Sequence, residues 1–92
     1  MTRSPSRFLV ISNPQVARSS ELALEIQHYI QQYSDLHAEC VQVSDVIKGS
    51  NDGSEMLLAV GGDGTMLRVG RVGARFGCPV LGFNLGEVGF LP

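Results

Sequence analysis

Leu57-Leu58-Ala59-Val60 runs into Gly61-Gly62-Asp63-Gly64-Thr65, an apolar segment ending in three glycines, one carboxylate and one hydroxyl. Glycine lets a ligand approach the main chain closely. If a helix follows, its first N–H groups are unpaired and carry a partial positive charge. The pattern therefore predicts an anion site, with phosphate the best candidate. Asp63 sharpens this. A carboxylate beside a phosphate is repelled unless it engages a hydroxyl, a metal ion or a metal-bound water. All three uses suit phosphoryl transfer. Two plainer readings stand beside it: a tight turn that binds nothing, and Asp63 as a helix N-cap. The P-loop pattern G-x-x-x-x-G-K-[ST] and the dinucleotide pattern G-x-G-x-x-G are both absent.

Arg68, Arg71 and Arg75 follow at i, i+3 and i+7 on the expected helix. Arg68 is the candidate phosphate contact, because a cation in the first turns of a helix is unfavourable unless an anion is near. The stripe as a whole reads as a solvated face. A second glycine cluster, Gly82, Gly86 and Gly89, surrounds Asn84 and precedes Phe90-Leu91. Parallel strands end at one edge of their sheet, so this cluster can lie beside residues 61–65. Phe90 is then either a ring-stacking residue or part of the core.

These groups need a framework, and the chain alternates strand and helix to supply one. Residues 8–11, Phe-Leu-Val-Ile, form an apolar strand ended by the turn signal Asn13-Pro14. Residues 19–34 place Leu22, Ile26, Tyr29, Ile30 and Tyr33 on one helical face, with Ser19 or Ser20 as the cap. Residues 37–43 read as a strand and 44–55 as a polar loop. Residues 56–60 form a strand buried on both faces. A helix over 65–76 carries Met66, Val69, Gly73 and Phe76 on one face, and its Gly70 and Gly73 imply close packing on the sheet. Residues 79–83 form the last strand. The order predicts an α/β domain with a mostly parallel sheet, and the loop 61–65 lies at a strand's carboxyl end, where such sheets bind ligands.

Composition sets the class. The chain has 92 residues, of which 43% are hydrophobic, so it is one small globular domain. Nine acidic and seven basic residues give a net charge of −2, which argues against nucleic acid or an anionic membrane as partner. No apolar run approaches the roughly 20 residues that span a bilayer. The apolar run near the start is too short for a signal-peptide core, so the cytoplasm is the expected location. Cys40 and Cys78 lack metal-ligand spacing and are expected to be buried thiols, and His28 and His37 to be ordinary histidines.

Gly61-Gly62-Asp63-Gly64-Thr65 followed by Asn84-Leu85-Gly86-Glu87-Val88-Gly89-Phe90-Leu91 resembles the NAD kinases, which transfer a phosphoryl group from ATP or polyphosphate to the 2′-hydroxyl of NAD. The first block is shared with diacylglycerol and sphingosine kinases, and phosphofructokinases carry a close relative. The second block separates them, since lipid kinases have a glycine-threonine-asparagine-aspartate type loop there. They also place serine-glycine soon after an asparagine-proline, whereas Asn13-Pro14 here precedes Gln15-Val16-Ala17. The resemblance covers residues 8–91 and implies a Rossmann-like three-layer sandwich. It makes Asp63 the catalytic residue that engages the 2′-hydroxyl. It places Gly62, Gly64, Thr65, Arg68 and Asn84 around the nucleotide, with Phe90 and Leu91 lining the NAD pocket. It implies Mg²⁺ or another divalent metal arriving with ATP, no metal-ligand cluster in the chain itself, and a homo-oligomer. The family also carries a β-rich C-terminal domain, so residues 1–92 are expected to be the N-terminal nucleotide-binding domain, inactive alone. A lipid kinase domain and a non-catalytic nucleotide-binding module are the alternatives.

Overall fold

The computed structural model describes residues 5–47 and 53–85. The element order is β1 (Arg7–Ser12), α1 (Ser19–Gln31), β2 (His37–Gln42), α2 (Val43–Ile47), β3 (Met56–Gly61), α3 (Asp63–Phe76) and β4 (Val80–Asn84). The four strands form one sheet in the order β2-β1-β3-β4, and every pairing is parallel. This is the expected α/β sandwich. The two central strands carry the continuous apolar runs because they are covered on both faces. Leu9 and Ile11 join Leu57 and Ala59 on one face, beneath Val43, Val46, Val69 and Val72 of α2 and α3. Val10, Leu58 and Val60 face the other way, against Ala23 and Ile30 of α1. Val10, Ile11, Leu57, Val60 and Val69 are fully buried, each worth about 1.5–3 kcal/mol relative to exposure.

The helix faces differ from the sequence expectation. On α1 Ile30 is buried and Leu22 and Ile26 pack partly buried against the core as expected, joined by the buried Ser19 and Ala23, whereas Tyr29 and Tyr33 are 61% and 48% exposed. The buried stripe is thus shifted from the predicted one toward Ser19 and Ala23. The small residues Ser19 and Ala23 let the helix approach the strands, and the tyrosines are left outside, edge to face at 5.9 Å. The cap also differs. Arg18, not Ser19 or Ser20, is the N-cap of α1, at φ 68° and with no side-chain capping bond. Arg18 is the one non-glycine residue with positive φ among those described.

The expected loop 44–55 begins with a helical turn, α2, because Val43 and Val46 lie three apart and both seat in the core. Helix α3 starts at Asp63, two residues before the predicted start. Gly73 is buried against β4: a Cβ there would strike the Val80 side chain and sit 2.8 Å from the Cys78 carbonyl oxygen. Gly70 meets nothing and is exposed, so the close-packing expectation holds at Gly73 alone. Phe76, expected on the buried face, is 38% exposed, with Arg75 over its ring at 5.5 Å. Cys40 and Cys78 lie on opposite faces of the sheet and are only partly buried. Burial pushes the Cys40 thiol above its ordinary pKa. No helix among the described residues is long and apolar enough to cross a membrane.

Candidate active site

From β1 the chain passes through α1 to β2 on one side, then through α2 to β3 on the other. The order therefore reverses between β1 and β3, and the crevice at their carboxyl ends is the switch point where open α/β sheets take ligands. Residues 61–65 are at that point.

Register explains which groups meet there. Ser12 pairs with Val60, so Asn13 follows beside Gly61, and Gly61 pairs with Asn84 on its other side. A glycine thus lies between two asparagines along the sheet edge, and both asparagines reach the first turn of α3. Asn84 Nδ2 donates to Asp63 Oδ1 at 2.7 Å. Asn13 Nδ2 donates to Thr65 Oγ1 at 2.9 Å. The backbone N–H of Leu85 donates to the Gly61 carbonyl at 2.7 Å, closing β4 against the turn.

The glycines of the turn serve different ends. A Cβ at Gly61 would lie 2.5 Å from Thr65 Oγ1 and 2.7 Å from Thr65 Cβ, so only glycine lets Thr65 fold back beneath the strand end. Gly62 and Gly64 meet nothing within 4 Å. None of the three has positive φ, so no backbone angle closed to other residues is used here. Their contribution is space. Gly62, in extended conformation, is the N-cap of α3 and makes no side-chain capping bond, so the N–H groups of Asp63, Gly64 and Thr65 lack helical partners.

Asp63 is the first residue of α3, not its N-cap, and is exposed. The helix dipole favours a carboxylate at that position. Thr65 is 2% exposed, so its side chain braces the turn from inside. Arg68 is exposed, and no hydrogen bond or ion pair among the described residues links it to residues 61–65. Phe90 and Leu91 lie outside the described residues, as does the rest of the second block beyond Leu85.

Two residues of the edge escaped the sequence reading. From sequence Asn13 reads only as a turn signal, and Ser19 as a cap. Ser19 is fully buried, and its hydroxyl accepts from the Asn13 N–H at 2.8 Å and donates to the Val60 carbonyl at 2.7 Å. The available signal was topological: a polar residue immediately after an apolar strand parallel to β3 must end at the same edge as residues 61–65.

The family model for the ATP-NAD kinase N-terminal domain matches residues 7–92. The NAD kinase of Moorella thermoacetica is 37% identical over 93 residues, covering 92% of this chain and 30% of that protein. The NAD kinase of Mycobacterium bovis is 45% identical over 51 residues, 55% of this chain and 17% of its own length. The NAD kinase of Caldanaerobacter subterraneus is 58% identical over 38 residues, 41% of this chain and 13% of its own. The chain thus spans less than a third of the length of these three relatives. No solved structure matches it significantly. With a family model matching nearly its whole length, and with the glycine-aspartate turn at the sheet's switch point, the chain belongs to the ATP-NAD kinase N-terminal domain family.

Proposed function

We propose that this chain forms the N-terminal domain of an NAD kinase, which moves the terminal phosphoryl group of ATP or polyphosphate to the 2′-hydroxyl of NAD. The observation that carries this reading is Asp63, exposed at the uncapped start of α3 with one carboxylate oxygen held by Asn84. That bond orients the carboxylate and leaves its other oxygen to engage a hydroxyl. The 2′-oxygen forms the new bond to phosphorus as the bond to the donor's bridging oxygen breaks. The hydroxyl proton passes to Asp63, and ADP or a shortened polyphosphate leaves. Gly62 and Gly64 open the main chain to the phosphates, whose charge is met by the first N–H groups of α3. Arg68 adds a cation on the same helix. Phe90 and Leu91 line the NAD pocket by the family likeness.

Among the described residues no three of His, Cys, Asp and Glu cluster to hold a metal ion. Magnesium needs no such cage, since it is commonly held by one or two carboxylates and the substrate's phosphates. With Asp63 engaged by the hydroxyl, the ion would be held chiefly by the donor's own phosphates. The ion, arriving with ATP, supplies charge neutralisation on the phosphates.

The relatives are much longer, which supports a second domain beyond residue 92; by the family likeness alone the whole protein is proposed to be a cytoplasmic homo-oligomer. The test is NADP formation from NAD with magnesium and ATP, or with polyphosphate, by the full-length polypeptide carrying this chain. NADP appearing in step with donor consumption supports the reading. Donor hydrolysis without NADP contradicts it.

A further inference from the structure

The Asn13 carboxamide is engaged at both ends. Its Oδ1 accepts from the Gln15 N–H at 3.0 Å, which fixes the amide's orientation and turns Nδ2 to Thr65. Thr65 is buried and wedged beneath Gly61, one residue from Gly64 and two from Asp63. The bond therefore joins the end of β1 to the first turn of α3 across the switch point. It is independent of the Ser19 hydroxyl, which anchors the Asn13 backbone to the Val60 carbonyl. The two anchors divide the work: Ser19 holds the β1 turn to the sheet, and Asn13 holds α3 to the β1 turn.

We propose that Asn13 is a positioning residue for the phosphoryl site, fixing through Thr65 the amide donors of residues 63–65 and the carboxylate of Asp63. The inference rests on the reading of that turn as a phosphate site. Asn13 touches no phosphate itself. Its effect is to keep the start of α3 from shifting, so that donors aimed at a phosphate need no reordering when it binds. Loss of the Asn13 side chain leaves the Ser19 anchor intact, so the fold persists while the turn loosens.

The experiment compares the chain with Asn13→Ala, Thr65→Val, Thr65→Ser and the double variant Asn13→Ala/Thr65→Val. Two readouts are taken by nuclear magnetic resonance: backbone order parameters, and the dissociation constant for inorganic triphosphate. Asn13→Ala and Thr65→Val are each expected to weaken triphosphate binding about fivefold, the size of one net hydrogen bond. The double variant is expected to be no weaker than either single one, because both break the same bond. Thr65→Ser keeps the acceptor and is expected to bind within about twofold of the unaltered chain. Order parameters are expected to fall at residues 62–65 in the weakened variants while β1 and β3 keep theirs. Additive losses, or an Asn13→Ala chain with unaltered affinity and order parameters, overturn the proposal. If the unaltered chain binds no triphosphate, the phosphate reading of the turn fails. The order parameters then decide alone whether Asn13 fixes the turn, and unchanged values at residues 62–65 overturn it.

Discussion

Two strand-to-helix turns meet at the carboxyl edge of this sheet, and they are built in opposite ways. In the turn after β1 the polar atoms bond inward. Asn13 engages Gln15 and Thr65, and Ser19 engages Asn13 and Val60. In the turn after β3 the groups are left open. Gly64 has no neighbour within 4 Å where a side chain would point, and Asp63 is exposed, held only at one oxygen by Asn84. The contrast teaches a division of labour. A phosphate-binding turn must expose main-chain donors and therefore cannot satisfy them internally. On the proposed phosphate reading, its rigidity comes from the adjacent turn, whose side chains bond inward.

That comparison can be broken at Gly61, where the two turns lean on one another. Gly61→Val is expected to give the largest loss of stability, about 3 kcal/mol or more, because the new side chain overlaps Thr65 in a packed site. Thermal unfolding measures it. A valine variant as stable as the parent chain would show that Thr65 is free to move aside. Ser19→Ala comes next. It strips a buried hydroxyl from two partners, and a loss of about 1–3 kcal/mol is expected. A melting temperature within a degree of the parent's would mean that the β1 turn is not anchored there.

Gly64→Ala sharpens the contrast, because stability and binding should part company. Gly64 is helical and has open space around it, so alanine is expected to stabilise α3 by up to about 1 kcal/mol. Triphosphate affinity is expected to fall, since the methyl group occupies space the ligand needs. Unchanged affinity would remove the close-approach argument. The smallest effect is expected at Arg18, whose left-handed backbone is a strain confined to the supporting turn. Arg18→Gly relieves it at the cost only of an exposed pair with Glu21. A gain of up to about 1 kcal/mol is expected, again read by thermal unfolding.

The apolar runs at β1 and β3 were legible because strands covered on both faces need no polar alternation, and the turn 61–65 was legible from its glycines. Asn84 was placed correctly beside that turn by the parallel-edge argument. What the sequence hid were features set by packing distance. Nothing in the spacing of Leu22, Ile26, Tyr29 and Tyr33 says that α1 would turn Ser19 and Ala23 inward to approach the sheet. Thr65 reads from sequence as one of the turn's exposed groups, yet its buried side chain points back beneath Gly61. Asn13 was overlooked because its bond to Thr65 spans 52 positions and depends on the register of β1 with β3.

The most direct test of the central claim is the turnover of Asp63→Asn in the full-length polypeptide, measured as NADP formation over a range of NAD concentrations. Asparagine keeps the shape of the side chain and removes the charge and the proton acceptor. The account predicts that kcat falls about 10²–10⁴-fold while KM for NAD changes by only a few-fold. A kcat within a few-fold of the parent enzyme would contradict it, and would leave Asp63 as a residue that only favours the start of α3.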